Sequence, residues 1–195
     1  MTELGMAISN PYHGERRAGS VGKPLPGVDV RLCNEADQLV VREPGEIQVR
    51  GGNVFLEYWQ QPEVTRKSFT HDGWFKTGDV GVLEDGYYRI LGRNSVDIIK
   101  SGGYKISALE IEEVLRTHPD VMDCAVVGLE DVEWGEIVAA ALVGQVQVDL
   151  SGVSSWMKER IPAYKMPRKF LVVEELPRNA MGKVTKNSVK KLFAE

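Results

Sequence analysis

The sequence predicts an α+β chain, a small β-barrel-like subdomain followed by a mixed α/β domain. Three observations carry this prediction. The first half alternates short apolar–polar segments with Gly and Pro turns and shows no long helical period. Within it, Asp85-Gly86 stands between two apolar runs, a strong signal for a tight hairpin. Past Arg93 the pattern changes, and helical periodicity interleaves with buried-type strands.

In chain order, GSVGKPLP (19–26) reads as turns, and VDVRL (28–32) then alternates as a half-buried strand does. EIQVR (46–50) alternates again, with Ile47 and Val49 on one face. Gly73–Asp79 reads as a loop, and the hairpin spans Gly81–Leu91. Strands at this spacing without long helices suggest a small barrel or sandwich. Ser107-Ala-Leu-Glu110 is a capping box opening a helix, with Ile111, Val114 and Leu115 on one face before Pro119. VMDCAVVG (121–128) and IVAAALVG (137–144) read as buried strands, and Trp156–Ile161 as a helix stopped by Pro162. Phe170–Val173 is a strand and Lys186–Phe193 a closing basic helix. Residues 1–92 therefore form one part, 93–97 the boundary and 98–195 the other.

Composition excludes several functions. No apolar run approaches the roughly 20 residues of a membrane-spanning helix. Two cysteines, Cys33 and Cys124, and three scattered histidines exclude a zinc site of the usual spacing. The net charge of −4 leaves no overall basic field, and no base-stacking motif points to nucleic acid. The opening MTELGMAISNPYHG carries neither a secretory apolar core nor a transit pattern, so no targeting segment is expected in this chain. Charge is uneven: residues 100–155 hold 3 Lys/Arg against 10 Asp/Glu, and residues 156–195 hold 10 against 4. A basic segment on an acidic body can face an anionic small molecule, a partner or solvent.

The chemistry-bearing clusters fall in predicted loops. GSVGK (19–23) lacks phosphate-loop spacing, with Pro24 where a magnesium-holding hydroxyl belongs, and is turn chemistry. Thr77-Gly78-Asp79 sets a carboxylate beside a flexible glycine, suited to accepting two hydrogen bonds from a ribose diol or to making a plain turn. Ser101-Gly102-Gly103-Tyr104 lets a backbone approach a ligand closely or forms a tight hairpin. PRNAMGK (177–183) presents Lys183 after glycine, placed to neutralise charge on a phosphoryl group or simply exposed at the surface.

In order along the chain, Met1-Thr-Glu3, Gly19–Gly27, GEIQVRG, YW, DGWFKTGD, Gly92-Arg93, IIKSGGYKISALEIE and LPRNAMGKVTK resemble the adenylate-forming superfamily of CoA synthetases, adenylation domains and firefly-type luciferases. The opening segment and GRNSVDIIKSGGYK are most similar to its malonyl-CoA synthetase group. The resemblance covers essentially the whole chain. It implies an ATP-dependent acid–CoA ligase acting on malonate or methylmalonate, which forms an acyl-AMP and then passes the acyl group to coenzyme A. It also implies roles for particular residues: Thr2 at the nucleotide phosphate, Glu3 on Mg²⁺, Asp79 and Arg93 at the ribose, Lys183 at the α-phosphate during adenylation, and Gly102–Gly103 lining the pantetheine channel. A mobile C-terminal domain would turn on a hinge within Asn94–Asp97, presenting Lys183 for one step and Gly102–Gly103 for the other. Malonate's second carboxylate needs a cation, for which Arg16 and Arg17 are candidates unless they are simply solvent-exposed arginines of a loop, and Met6 either lines the acyl pocket or packs.

The chain opens at the Met of the Thr-Glu motif. The family's phosphate-gripping loop and most of its acyl pocket are therefore expected upstream, in a part of the ligase that a truncated gene model, short isoform or fragment would lack. This polypeptide alone is expected to be inactive or nearly so, with Thr2 and Glu3 disordered at a free end. A non-catalytic domain binding CoA, nucleotide or a partner, and an adenylation domain loading a carrier protein, are the alternative readings. Relatives of the family occur in the cytoplasm and the mitochondrial matrix.

Overall fold

A computed structural model describes residues 1–144 and 148–194. The chain divides into two compact units, Met1–Asn94 and Ser95–Glu195. The first is built on strands. β1 (Ile8–Ser9) and β2 (Lys23–Pro24) make a small antiparallel pair, and β3 (Val28–Cys33) and β4 (Gly45–Gly51) open a four-stranded antiparallel sheet. Helix α1 (Pro62–Lys67), with proline at its start, precedes β5 (Phe75–Glu84) and β6 (Tyr87–Arg93), which complete the order β3-β4-β5-β6. Among the described residues the four-stranded sheet is open, not a closed barrel, although Gly22 makes an isolated antiparallel bridge to Tyr88 of β6.

Asp85 and Gly86 take φ of 49° and 79° and join β5 to β6, so the two-residue turn has the left-handed backbone that matches strand twist. The segment 73–79, expected to be a loop, instead belongs largely to β5, which starts at Phe75. Phe75 is buried beside Val49 and pairs with it across β4, and that pairing outweighs the local turn signal of Gly73 and Gly78. Ile47 and Val49 point into a core with Leu4, Leu32 and Tyr88. Gln48, on the opposite face, is also fully buried. It accepts from Arg31 Nε at 2.8 Å and donates to Asp37 at 2.6 Å, which satisfies its amide.

In the second unit, β7 (Ile98–Ser101) and β8 (Tyr104–Ser107) form a hairpin that runs into helix α2 (Ala108–Leu115), whose cap is Ser107 accepting from the Glu110 amide. β9 (Val121–Asp131) and β10 (Gly135–Gly144) pair antiparallel over their length. β7 meets β10 at Ser101 and Gly135. Helix α3 spans Leu150–Lys158, earlier than expected, because Asp149 caps it by accepting from the Ser151 amide. It crosses over to β11 (Lys169–Val172), parallel to β10, and α4 (Lys186–Leu192) closes the unit.

The continuous apolar runs of β9 and β10 follow from burial on both faces. Cys124, Val126, Val138, Ala140 and Leu142 pack with α2 and α3, while Ala125, Val127, Ala139 and Ala141 pack with Leu176, which precedes the Lys183 hairpin, and with Val189 of α4. No helix among the described residues is long and apolar enough to cross a membrane.

Candidate active site

In the N-terminal unit, Asp79 and Arg93 lie directly opposite one another on β5 and β6. Arg93 Nε sits 2.9 Å from Asp79 Oδ1, and its Nη1 donates to the Thr77 carbonyl at 3.0 Å. The Asp79 side chain is about a quarter exposed, so it is held by its neighbour and still open to a ligand. The backbone before it is fixed by three bonds. Thr77 Oγ1 donates to the Ile47 carbonyl at 2.7 Å and accepts from the Asp79 amide at 3.1 Å, and Glu46 accepts from the Gly78 amide at 3.0 Å. Gly78 has φ +74°, a conformation side chains resist, which explains glycine at the centre of the motif.

Asp79 and Thr77 border a cavity of 170 Å³ whose other walls include Leu4, Met6, Ile47 and Ile90. The loop carrying Thr2 and Glu3 leads into it. Glu3 is tied down rather than loose: its carbonyl accepts from the Phe55 amide at 2.8 Å, and Tyr58 Oη donates to Glu3 Oε1 at 3.0 Å. Its own main-chain amide and then Tyr58 hold the Glu3 carboxyl below the usual range, with Arg93 adding positive charge. Asn53 donates to the carbonyls of Leu4 and Met6 and so fixes the cavity wall.

The described residues hold no cluster of three metal-ligating side chains. A lone, ionised carboxylate at Glu3 still suits Mg²⁺, which commonly takes one or two carboxylates and completes its shell with water and substrate phosphates.

In the C-terminal unit, Lys183 closes a short hairpin whose strands meet at Arg178 and Val184. Asn179 Oδ1 accepts from the amides of Met181 and Lys183 at 3.0 Å each, and the Asn179 amide donates to the Lys183 carbonyl at 2.9 Å. Arg178 anchors the hairpin to β9 through Asp123 at 2.5 Å. The Lys183 side chain is exposed. Gly102 and Gly103, with φ of 55° and 82°, turn the β7–β8 hairpin. A Cβ on Gly102 would lie 2.8 Å from Trp134 Cε3, whereas one on Gly103 meets nothing within 4 Å. The Gly102 amide donates to the Trp134 carbonyl at 2.9 Å, and Arg168 lies 3.8 Å over the Trp134 ring.

Residues 1–59 match the AMP-binding enzyme model and residues 110–183 the AMP-binding enzyme C-terminal domain. The chain belongs to the AMP-binding, adenylate-forming enzyme family. A malonate–CoA ligase of Arabidopsis thaliana is 50% identical over 98% of the chain and 33% of its own length. The mitochondrial malonate–CoA ligase ACSF3 of Bos taurus is 48% identical over 97% of the chain and 36% of its own. Among solved structures, ATP-bound MatB from Rhodopseudomonas palustris superposes with a TM-score of 0.87 at 39% identity, covering all of this chain and 40% of that one. The chain spans about a third of the length of these relatives.

Against the family's motifs, the structure brings Asp79 and Arg93 together and places Met6 on the cavity wall. It does not bring Arg16 or Arg17 to that cavity. Arg17 is engaged by Glu15 at 2.8 Å and Asp85 at 3.4 Å and lies 4.3 Å over the Tyr87 ring, while exposed Arg16 donates to the Pro11 carbonyl. Sequence reasoning assigned no role to Tyr58, Glu46 or Asn53. Their only signal was membership of the motif segments YW and GEIQVRG or adjacency to them.

Proposed function

We propose that the protein carrying this chain is an AMP-forming acid–CoA ligase whose acid is malonate or methylmalonate. The observation that carries the reading is the cross-strand Asp79–Arg93 pair at the mouth of a cavity bordered by the Thr-Glu loop. It is supported by identity to malonate–CoA ligases along nearly the whole chain.

Asp79 accepts from the ribose hydroxyls, with Arg93 fixing the carboxylate's orientation. Thr2 contacts the nucleotide phosphate and Glu3 carries Mg²⁺. In the first step a carboxylate oxygen of the acid bonds to the α-phosphorus of ATP, the bond to the bridging oxygen breaks, and pyrophosphate leaves. Lys183 neutralises the charge that gathers on the phosphoryl oxygens in that transition state. In the second step the CoA thiol loses its proton and bonds to the acyl carbon, and AMP leaves. Gly102–Gly103 lines the thiol's approach.

Residues 1–92 form the end of the nucleotide-binding domain and 98–195 a mobile domain, with the hinge in 93–97. Upstream residues of the whole protein complete the open sheet into a barrel-like subdomain. Neither Arg16 nor Arg17 borders the cavity beside Asp79, so a role for either at malonate's second carboxylate requires pocket walls supplied elsewhere in the whole protein. The site of action is the mitochondrial matrix or the cytoplasm, in keeping with the mitochondrial name of the bovine relative.

The test joins this chain to the upstream region its relatives carry and measures pyrophosphate release with ATP, Mg²⁺ and a panel of acids. Release should require malonate or methylmalonate and should yield a CoA thioester when CoA is added. Release with monocarboxylic acids alone, or acyl transfer only to a carrier protein, overturns the assignment.

A further inference from the structure

Lys186 opens α4, three residues beyond Lys183, and its ammonium is largely buried at 12% side-chain exposure. A cation in the first turn of a helix opposes the helix dipole, so partners must justify it. Three do. Lys186 Nζ is in close contact with Glu112 of α2, donates to the Val126 carbonyl of β9 at 2.8 Å, and lies 3.5 Å from Asp97. Glu112 is buried to 3% exposure, accepts from the Val126 amide at 2.8 Å and also pairs with Arg116 at 3.1 Å. Asp97 is fixed through its backbone as well, its carbonyl accepting from the Ala108 amide at 2.8 Å.

Buried ion pairs add little net stability, because desolvation offsets the attraction, but they define geometry. Here the geometry has a particular topology. Asn94, the last residue of the N-terminal unit, donates its amide to the Gly78 carbonyl of that unit at 2.9 Å. Asp97 is bound within the C-terminal unit. Ser95 and Val96 alone stand between the two anchored residues. The base of the Lys183 hairpin, where the Thr185 amide donates to the Pro177 carbonyl at 2.9 Å, leads directly into Lys186.

We propose that Lys186 is a positioning residue, tying Asp97 at the entry of the C-terminal unit to the base of the Lys183 hairpin through Glu112, so that a turn of the chain at Ser95–Val96 carries Lys183 with it as a rigid body. This rests on the ligase reading for its consequence in catalysis, and on the side-chain network alone for its structural claim.

The full-length protein is compared with Lys186→Met, with the charge-balanced double variant Glu112→Gln/Lys186→Met, and with Lys186→Arg. Two readouts are taken from each: amide hydrogen exchange at Asn179, Gly182 and Lys183, and the two half-reactions measured separately. In Lys186→Met and the double variant, exchange at those three amides should rise while β9–β10 amides keep their protection. Adenylation turnover should fall on the order of 100-fold, the cost of a small misplacement of a catalytic group, with the KM for ATP little changed. Thioester formation from supplied acyl-AMP should persist, and Lys186→Arg should recover most of the adenylation rate.

Unchanged hairpin exchange in both neutral variants overturns the tie. Equal loss of both half-reactions in the double variant overturns the positioning role in favour of a merely structural one. A parent protein that adenylates no acid defeats the ligase reading, while the exchange result still decides the tie.

Discussion

The two units hold their functional groups in different ways. In the N-terminal unit, Asp79 and Arg93 sit on paired strands of a four-stranded sheet, each strand fixed by ladder bonds and by Thr77 and Glu46 beneath. In the C-terminal unit, Lys183 and Gly102–Gly103 sit in exposed hairpin turns, held by a few local bonds rather than by a wide strand ladder. Groups that must hold a nucleotide throughout a reaction gain from a preorganised sheet. Groups that act in one step and must then leave gain from a tip on a rigid stem. Under the proposed function, steady binding would fall to the first unit and step-specific chemistry to the second.

The largest test of that contrast is Lys183→Ala against Asp79→Asn in the full-length protein. Lys183→Ala should lower adenylation turnover by about 10²–10³-fold, as loss of a charge-stabilising donor does, and leave thioester formation from supplied acyl-AMP nearly intact. Asp79→Asn should act mainly on the KM for ATP, since a charge-assisted hydrogen bond is worth roughly 1.5–3 kcal/mol. Pre-steady-state pyrophosphate and thioester assays separate the two. Equal loss of both steps in Lys183→Ala would erase the division of labour.

Much of this was legible in sequence where local chemistry decides structure. Asp85-Gly86 specified its turn, Ser107 its cap, and the apolar runs 121–128 and 137–144 their doubly covered strands. Where long-range pairing decides, sequence misled. Gly73–Asp79 carries turn residues yet runs largely as strand, because Phe75 pairs with Val49 some 26 positions earlier. Trp156–Ile161 marked only the end of α3, since its true start depends on Asp149, a cap outside the apolar period. The supports of the candidate site were hidden for the same reason. Tyr58 reaches Glu3 across 55 residues and Lys186 reaches Glu112 across 74, and neither pairing leaves a mark on local pattern. Asp79 with Arg93 shows the opposite case: two motif residues 14 apart that a single hairpin register places face to face.

A smaller effect sharpens the contrast inside the β7–β8 turn. Gly102 has φ +55° and faces the Trp134 ring, so Gly102→Ala combines backbone strain with a clash and should destabilise the C-terminal unit by about 2–3 kcal/mol. Gly103 has φ +82° but open space, so Gly103→Ala should cost only the backbone part, about 1–2 kcal/mol. Thermal unfolding ranks the pair. A bulky residue at Gly103 should then slow the thioester step more than adenylation, because its side chain projects from the turn into open space. Selective loss of adenylation would reassign the turn.

The smallest effect distinguishes the units by acid. In the N-terminal unit, Asp72 is held low by hydrogen bonds from Arg31 and then Thr70, and Glu15 by Arg17. Burial pushes Asp37 up, but Lys76 and Gln48 together bring it below the usual range, and Glu3 is lowered by its own amide and Tyr58. In the C-terminal unit the clear case is Asp149, lowered by Ser151 and the amides of Gly152 and Ser151. A carboxyl whose folded pKa is depressed stabilises the fold fully above its unfolded pKa, near 4, and loses that contribution as pH falls through the folded value. Acidification from about pH 5 downward should therefore loosen β4–β5 before β9–β10, by a modest margin, since these ion pairs are exposed and salt-screened. Amide exchange followed along a pH series reads the order directly, and added salt should narrow the gap. Earlier opening of β9–β10 would overturn that order.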